Sequence, residues 1–233
     1  MSVKREFRST VMDIAIVLVC GVLLLTVAWG VTDRRAVQTA STSSPHIVID
    51  PGHGGADGGA EAADGTLEKT LNLAVSRPLC DLLTVMGYTV EMTRTTDVML
   101  NTEGDTLRER KVSDMRNRLA MVEQADLTVS IHQNKFTQAQ YSGAQIFYSG
   151  NTEESRLVAS SVRDQVISLM QPENTRELKR GTGYIYLLHH ATRPIILVEC
   201  GFLSNAAELE KLKDATYQRQ MAFAVAAGVL TYF

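Results

Sequence analysis

The 233-residue chain sets 23 lysines and arginines against 26 acidic residues and is 45% hydrophobic, which suits one globular domain with an appendage. Residues 1–35 hold five of the basic and three of the acidic residues, so the remainder carries 18 against 23, a formal charge of −5, which argues against nucleic acid as a partner. Only Cys80 and Cys200 lie in that remainder, far apart in sequence, so a disulfide framework is not indicated.

Lys4, Arg5 and Arg8 precede an apolar run from Ile14 to Val31. At about 1.5 Å per residue the run spans about 27 Å, just short of a hydrocarbon core of about 30 Å. Residues 1–35 are therefore expected to form a signal-anchor or transmembrane segment. A cleaved signal peptide is the alternative, although Ala28-Trp29-Gly30 is a poor substitute for an Ala-x-Ala site. Either way the remainder is exported. Residues 36–45 are small, polar and aperiodic and read as a flexible linker, which leaves 46–233 as the folded domain.

Within that domain, Ile47-Val48-Ile49 is a β-branched run of the kind that forms a buried strand. Asp50-Pro51-Gly52 stops it, since proline cannot donate to a ladder, and leaves His53 just past the strand end among Gly54, Gly55, Gly58 and Gly59. Leu67, Leu71, Ala74, Val75, Leu79, Leu82 and Leu83 recur at three and four, predicting an amphipathic helix over 67–86 that stops at Gly87. Thr89 to Thr93 alternates like a strand, 95–106 is polar loop, and 107–124 reads as a helix rich in Arg and Glu. Leu127 to His132 is a second buried strand with His132 at its carboxyl end. A strand over 144–148, a helix over 153–170 and a loop over 171–183 follow. Pro194 to Val198 is an apolar strand ending in Glu199, and helices over 205–213 and 217–233 close the chain. This alternation predicts an α/β fold, a twisted and mostly parallel sheet flanked by helices.

Parallel strands bring their carboxyl ends to one edge, where open α/β sheets bind ligands. His53, His132 and Glu199 each lie at or just past a strand end, and Glu68 opens the helix after the first loop, so the four are expected to converge. Two neutral imidazoles and a carboxylate are a common ligand set for catalytic zinc; the metal keeps a fourth position for water and lowers that water's pKa to about 7. A carboxylate outside the ligand set would then carry a proton to the leaving nitrogen. His53, Glu68 and His132 fit the ligand roles and Glu199 the shuttle. There is no compact H-E-x-x-H signature, so the pattern leaves a plainer reading open. Glu68 can be a charge favoured at a helix N-terminus, and His132 a satisfied core histidine. Glu199 resists that reading, because an unpaired carboxylate in P-I-I-L-V-E-C-G-F-L would be costly to bury. Cys200 beside it points to the opposite face of the strand and reads as core.

Several stretches then read as one set: I-V-I-D-P-G-H-G-G-A-D-G-G-A from Ile47, Leu67-Glu68-Lys69, T-R-x-x-D at Thr93 to Asp97, A-D-L-x-V-S-I-H-x-N at Ala125 to Asn134, and V-E-x-G-F-L-S-N at Val198 to Asn205. Together, and in this order over 46–233, they resemble the zinc-dependent N-acetylmuramoyl-L-alanine amidases. The resemblance implies a phosphorylase/hydrolase-like α/β domain, with His53, Glu68 and His132 as zinc ligands and Glu199 as the catalytic glutamate. It also implies peptidoglycan as substrate; by position alone, Asn134 and the Thr95–Thr106 loop are candidate substrate contacts. Arg116 matches a recurrent arginine of the family. A single domain beside a membrane segment, with S-G-A-Q-x-F-Y at Ser142 to Tyr148, is similar to the spore-cortex amidases of endospore formers. That branch implies a role in muramic δ-lactam formation and germination, with sporulation partner proteins unspecified. Two rival readings stay open: a zinc peptidase cutting within the stem peptide, and a non-catalytic wall-binding domain with a closed structural zinc site.

Overall fold

A computed structural model describes residues 44–233. The expected membrane segment and most of the linker lie outside the described residues; among those described, no helix is long and apolar enough to cross a membrane. The elements run β1 (His46–Pro51), α1 (Glu68–Val85), β2 (Thr89–Met92), α2 (Leu107–Val122), β3 (Leu127–Asn134) and β4 (Gln145–Tyr148). Then come α3 (Glu153–Leu169), β5 (Lys179–Arg180), α4 (Tyr186–His190), β6 (Ile195–Phe202), α5 (Ala206–Lys213) and α6 (Ala215–Tyr232). The six strands form one sheet in the order β2-β1-β3-β6-β4-β5. Every pairing is parallel except β4 with β6, so the sheet is mixed, with its parallel part at β2-β1-β3-β6.

The period of two along each strand separates two unequal faces. Ile47, Ile49, Val129, Ile131, Val198 and Cys200 face a large apolar cluster completed by Leu79 and Leu83 of α1, Val158 and Val162 of α3, and Val225 and Val229 of α6. Leu79 and Leu83 have no exposed surface; truncating either to alanine should cost about 2–5 kcal/mol. The opposite face has a smaller cluster, with Ile195 and Leu197 under Val122 of α2 and Leu187 and Leu188 of α4. Along the strands this second face becomes more polar toward the carboxyl ends: Val48 gives way to Asp50 and Leu197 to Glu199, while on β3 Thr128 is followed by Ser130 and His132.

The caps fix where the helices begin. Thr106 and Glu109 form a reciprocal capping box on α2, Asn205 caps α5 through the amides of Ala207 and Glu208, and Asp214 caps α6. Gly87 has φ +95°, the left-handed conformation expected of the residue that ends α1. Three features differ from the sequence-based expectation. β3 and β6 run on past His132 and Glu199, to Asn134 and Phe202. The 171–183 loop contains the two-residue strand β5, and the short helix α4 falls in a stretch with no predicted element.

Candidate metal centre and its cavity

β1 ends at Pro51 and the chain turns at Gly52, whose amide still donates to the carbonyl of Ile131 in β3 at 3.0 Å. A side chain is impossible at Gly52 without rearrangement: a Cβ there would lie 2.2 Å from Cε1 and Nε2 of His132. His53 follows with φ +61°, alone among the described non-glycine residues in having a positive φ. Glu68 is the first residue of α1. His132 on β3 stands in register with Glu199 on β6, and the pairing slips between His132 and Asn134. Such a bulge re-aims side chains at a sheet edge.

These elements bring together the residues that sequence scatters. The Glu68 carboxylate lies between the two imidazoles, with Oε2 3.2 Å from His53 Nε2 and Oε1 2.8 Å from His132 Nδ1. The two rings meet edge to face with centroids 5.0 Å apart. One donor atom from each of the three residues lies within 4.8 Å of the others, a grouping that can hold a metal ion. The amides of Ala60 and Gln133 also donate to Glu68, at 2.8 and 3.2 Å, which fixes the carboxylate's orientation. Behind the site, His53 Nδ1 is 2.8 Å from Asp57 Oδ2, and Lys111 Nζ donates to Asp57 Oδ1 at 2.9 Å. A carboxylate in that position orients a ligating imidazole and raises its basicity.

The electrostatics favour a cation between these groups. Burial works against charge on Glu68, yet hydrogen bonds from His132 and His53 outweigh it and hold the carboxyl below its ordinary range. Burial also disfavours the His53 imidazolium, but its bonds to Asp57 and Glu68 raise that ring to about 9. Glu199 behaves in the opposite way. Burial pushes it up to about 7; His132 pulls it back and Glu68 pushes it further up. Its Oε2 is buried without a hydrogen-bond partner. Two carboxylates driven apart in this way are suited to different tasks, one as a fixed anion and one as a proton carrier.

His53, His132 and Glu199 open into a cavity of about 350 Å3, floored by Asp50, Ser130 and Leu197 and walled by Lys111 and Met115 of α2 and by Tyr184 to Leu188. Asn134 lies elsewhere. It is part-buried two residues beyond His132, its carbonyl accepts from the amide of Leu203, and it does not line the cavity. Cys200 is fully buried on the other face, as its position beside Glu199 predicts. Neither His46, at the opposite end of β1, nor His189, exposed on α4, belongs to the metal-competent group. Arg116 is exposed, 3.6 Å from Glu103, whereas Arg118, two residues on and on the opposite, buried face of the helix, has no exposed surface. Asp57, Lys111 and Arg118 were missed from sequence. The available signals were the four-residue steps from His53 to Asp57 and from Asp114 to Arg118.

The family described as N-acetylmuramoyl-L-alanine amidase matches the chain over residues 47–231. The germination-specific N-acetylmuramoyl-L-alanine amidase of Bacillus subtilis (strain 168) is 40% identical over 190 residues, covering 80% of this chain and 79% of that protein. The CwlD amidase of Clostridioides difficile, solved in complex with the GerS lipoprotein, superposes with a TM-score of 0.78 at 36% identity, over 81% of this chain and 98% of that one. A second N-acetylmuramoyl-L-alanine amidase, from Clostridium difficile 630, superposes with a TM-score of 0.71 at 28% identity, over 81% and 96%. With the family match spanning nearly all of the described domain, the chain belongs to the N-acetylmuramoyl-L-alanine amidases.

Proposed function

We propose that this chain hydrolyses the amide between the lactyl group of N-acetylmuramic acid and the L-alanine of the peptidoglycan stem peptide, using zinc held by His53, Glu68 and His132. The carrying observation is the gathering of those three residues within 4.8 Å at one end of a cavity that also contains the partnerless Glu199 carboxyl. Bound zinc supplies Lewis-acid activation of water and polarisation of a carbonyl. Glu199 takes the proton from the attacking water and hands it to the leaving nitrogen, a task suited to a carboxyl that lines the cavity with one oxygen unpartnered. Asp57 holds the His53 ring in place. Asn134, on the same sheet edge but outside the cavity, is proposed to meet the substrate away from the scissile bond.

The setting is also part of the proposal. The apolar run from Ile14 to Val31 supports an exported protein held at the outer face of the cytoplasmic membrane. The 40% identity to a germination-specific relative supports a role in spore-cortex maturation. A relative solved with a lipoprotein supports a protein partner at that membrane surface. Digestion of purified peptidoglycan by the full-length chain, with fragments identified by mass spectrometry, tests the reaction. Free stem peptides beginning with L-alanine, lost on chelation and restored by zinc, are expected. Fragments cut within the stem peptide would replace this reading with a zinc peptidase.

A further inference from the structure

The turn that carries His53 exposes three successive carbonyls to one side, and two arginines meet all of them. Pro51 O accepts from Arg94 Nε at 3.0 Å and from Arg118 Nη1 at 2.9 Å. Gly52 O accepts from Arg94 Nη2 at 2.9 Å, and His53 O from Arg118 Nη2 at 2.7 Å. Arg94 belongs to the T-R-x-x-D stretch, which the reaction itself leaves unexplained, and its remaining donors reach Lys69 O and Thr96 O. Arg118 is gripped in turn. Its Nε donates to Asp114 Oδ2 at 2.8 Å and its Nη1 to Asp50 Oδ1. Ser130 and Thr93 hold Asp50 in place with hydroxyl donors at 2.7 and 2.8 Å. Two guanidinium groups against Asp50 and Asp114 leave this buried cluster without net charge, and Arg118, Asp50 and Asp114 are each at least 97% removed from solvent.

We propose that Arg118 is the positioning residue of the metal centre: by tying the carbonyls of Pro51 and His53 to Asp50 and Asp114, it holds His53 in its left-handed conformation with Nε2 aimed at Glu68. A non-glycine residue with φ +61° persists only where its surroundings over-determine it, and the planar fork of arginine can satisfy two carboxylates and two carbonyls at once. A lysine at the same place keeps the charge but presents one nitrogen, so the turn would be released while the ion pair could survive. Arg94 supports the same turn from the other side without touching His53 itself.

This inference rests on the zinc reading above, and zinc affinity measured by chelator competition on the full-length chain separates the two. If the wild-type chain binds no zinc, the zinc reading itself fails. If wild type binds, Arg118→Lys is expected to stay folded by circular dichroism and to bind zinc about 10–100-fold more weakly. In a His53→Ala background that loss should shrink toward none, because Arg118 acts through His53. A folded Arg118→Lys with wild-type affinity, or an equal loss in the His53→Ala background, overturns the proposal. Should Arg118→Lys not fold, Asp114→Asn, which removes one anchor of the guanidinium, is expected to weaken zinc binding in the same direction by a smaller factor. Unchanged affinity there overturns the proposal as well.

Discussion

Glu199 stands one strand away from His132 in the same register, yet the two side chains meet different fates. His132 is tied to Glu68, whereas the Glu199 carboxyl keeps one oxygen with no partner. Replacing it with glutamine preserves shape and removes proton transfer, so Glu199→Gln should lose about 10²–10⁴-fold in turnover. Its zinc content by elemental analysis should equal that of wild type. Wild-type-like turnover in that variant would remove Glu199 from the mechanism. The raised pKa also has a consequence for stability. Below about pH 4.5 the carboxyl is protonated whether the chain is folded or not, and contributes no pH dependence. As pH rises from there to about 7, the unfolded chain ionises while the folded one keeps its proton, so stability is lost with rising pH. The shift from 4.5 to about 7 corresponds to about 3 kcal/mol once both states are ionised. Denaturant titration of zinc-stripped protein should therefore show Glu199→Gln gaining on wild type between about pH 4 and pH 8. A difference that stays constant across that range contradicts the assignment.

At the level of elements, close approach at a glycine serves different ends, and Gly228 and Gly52 tell two of them apart. A Cβ at Gly228 of α6 would lie 2.4 Å from Val162 Cα of α3, deep in the larger apolar cluster. Gly228→Ala should cost about 1–3 kcal/mol and lower the melting temperature by about 2–4 °C per kcal/mol, with zinc affinity unchanged. A Cβ at Gly52 would displace His132, so Gly52→Ala should weaken zinc binding as well as stability. Calorimetry and chelator competition on both variants check the contrast; equal effects on zinc from the two would refute it. The elements that place the site were also the most legible in the sequence. β-branched runs at Ile47 and Leu127 mark buried strands, and strand direction alone gathers His53, His132 and Glu199. The direction of β4 was not legible, because alternation looks the same either way; only the short, helix-free link from β3 hinted at it. α4 has five residues, too few to show a helical period, although it forms one wall of the cavity. Arg118 was harder to see because a charged residue in a charge-rich helix reads as solvated; the four-residue step from Asp114 hints at a pair, and its burial beside Asp50 gives it its place.

Across the whole domain, the two sheet faces divide the work. The face under α1, α3 and α6 is apolar along its length and supplies most of the core. The face under α2 and α4 is apolar at one end and turns polar at the carboxyl ends, where the buried Asp50–Arg118–Asp114 cluster supports the His53 turn. His53 from a loop, Glu68 from a helix and His132 from a strand form one donor set that would hold a single metal beside Glu199. The most direct measurement is anomalous diffraction from crystals of the protein soaked in zinc. A single strong site is expected within about 2.0–2.2 Å of a donor atom of each of His53, Glu68 and His132, with no fourth protein ligand. Zinc bound elsewhere, or closed off by a fourth side chain such as His46 or His189, would contradict it and point to a structural, wall-binding role instead.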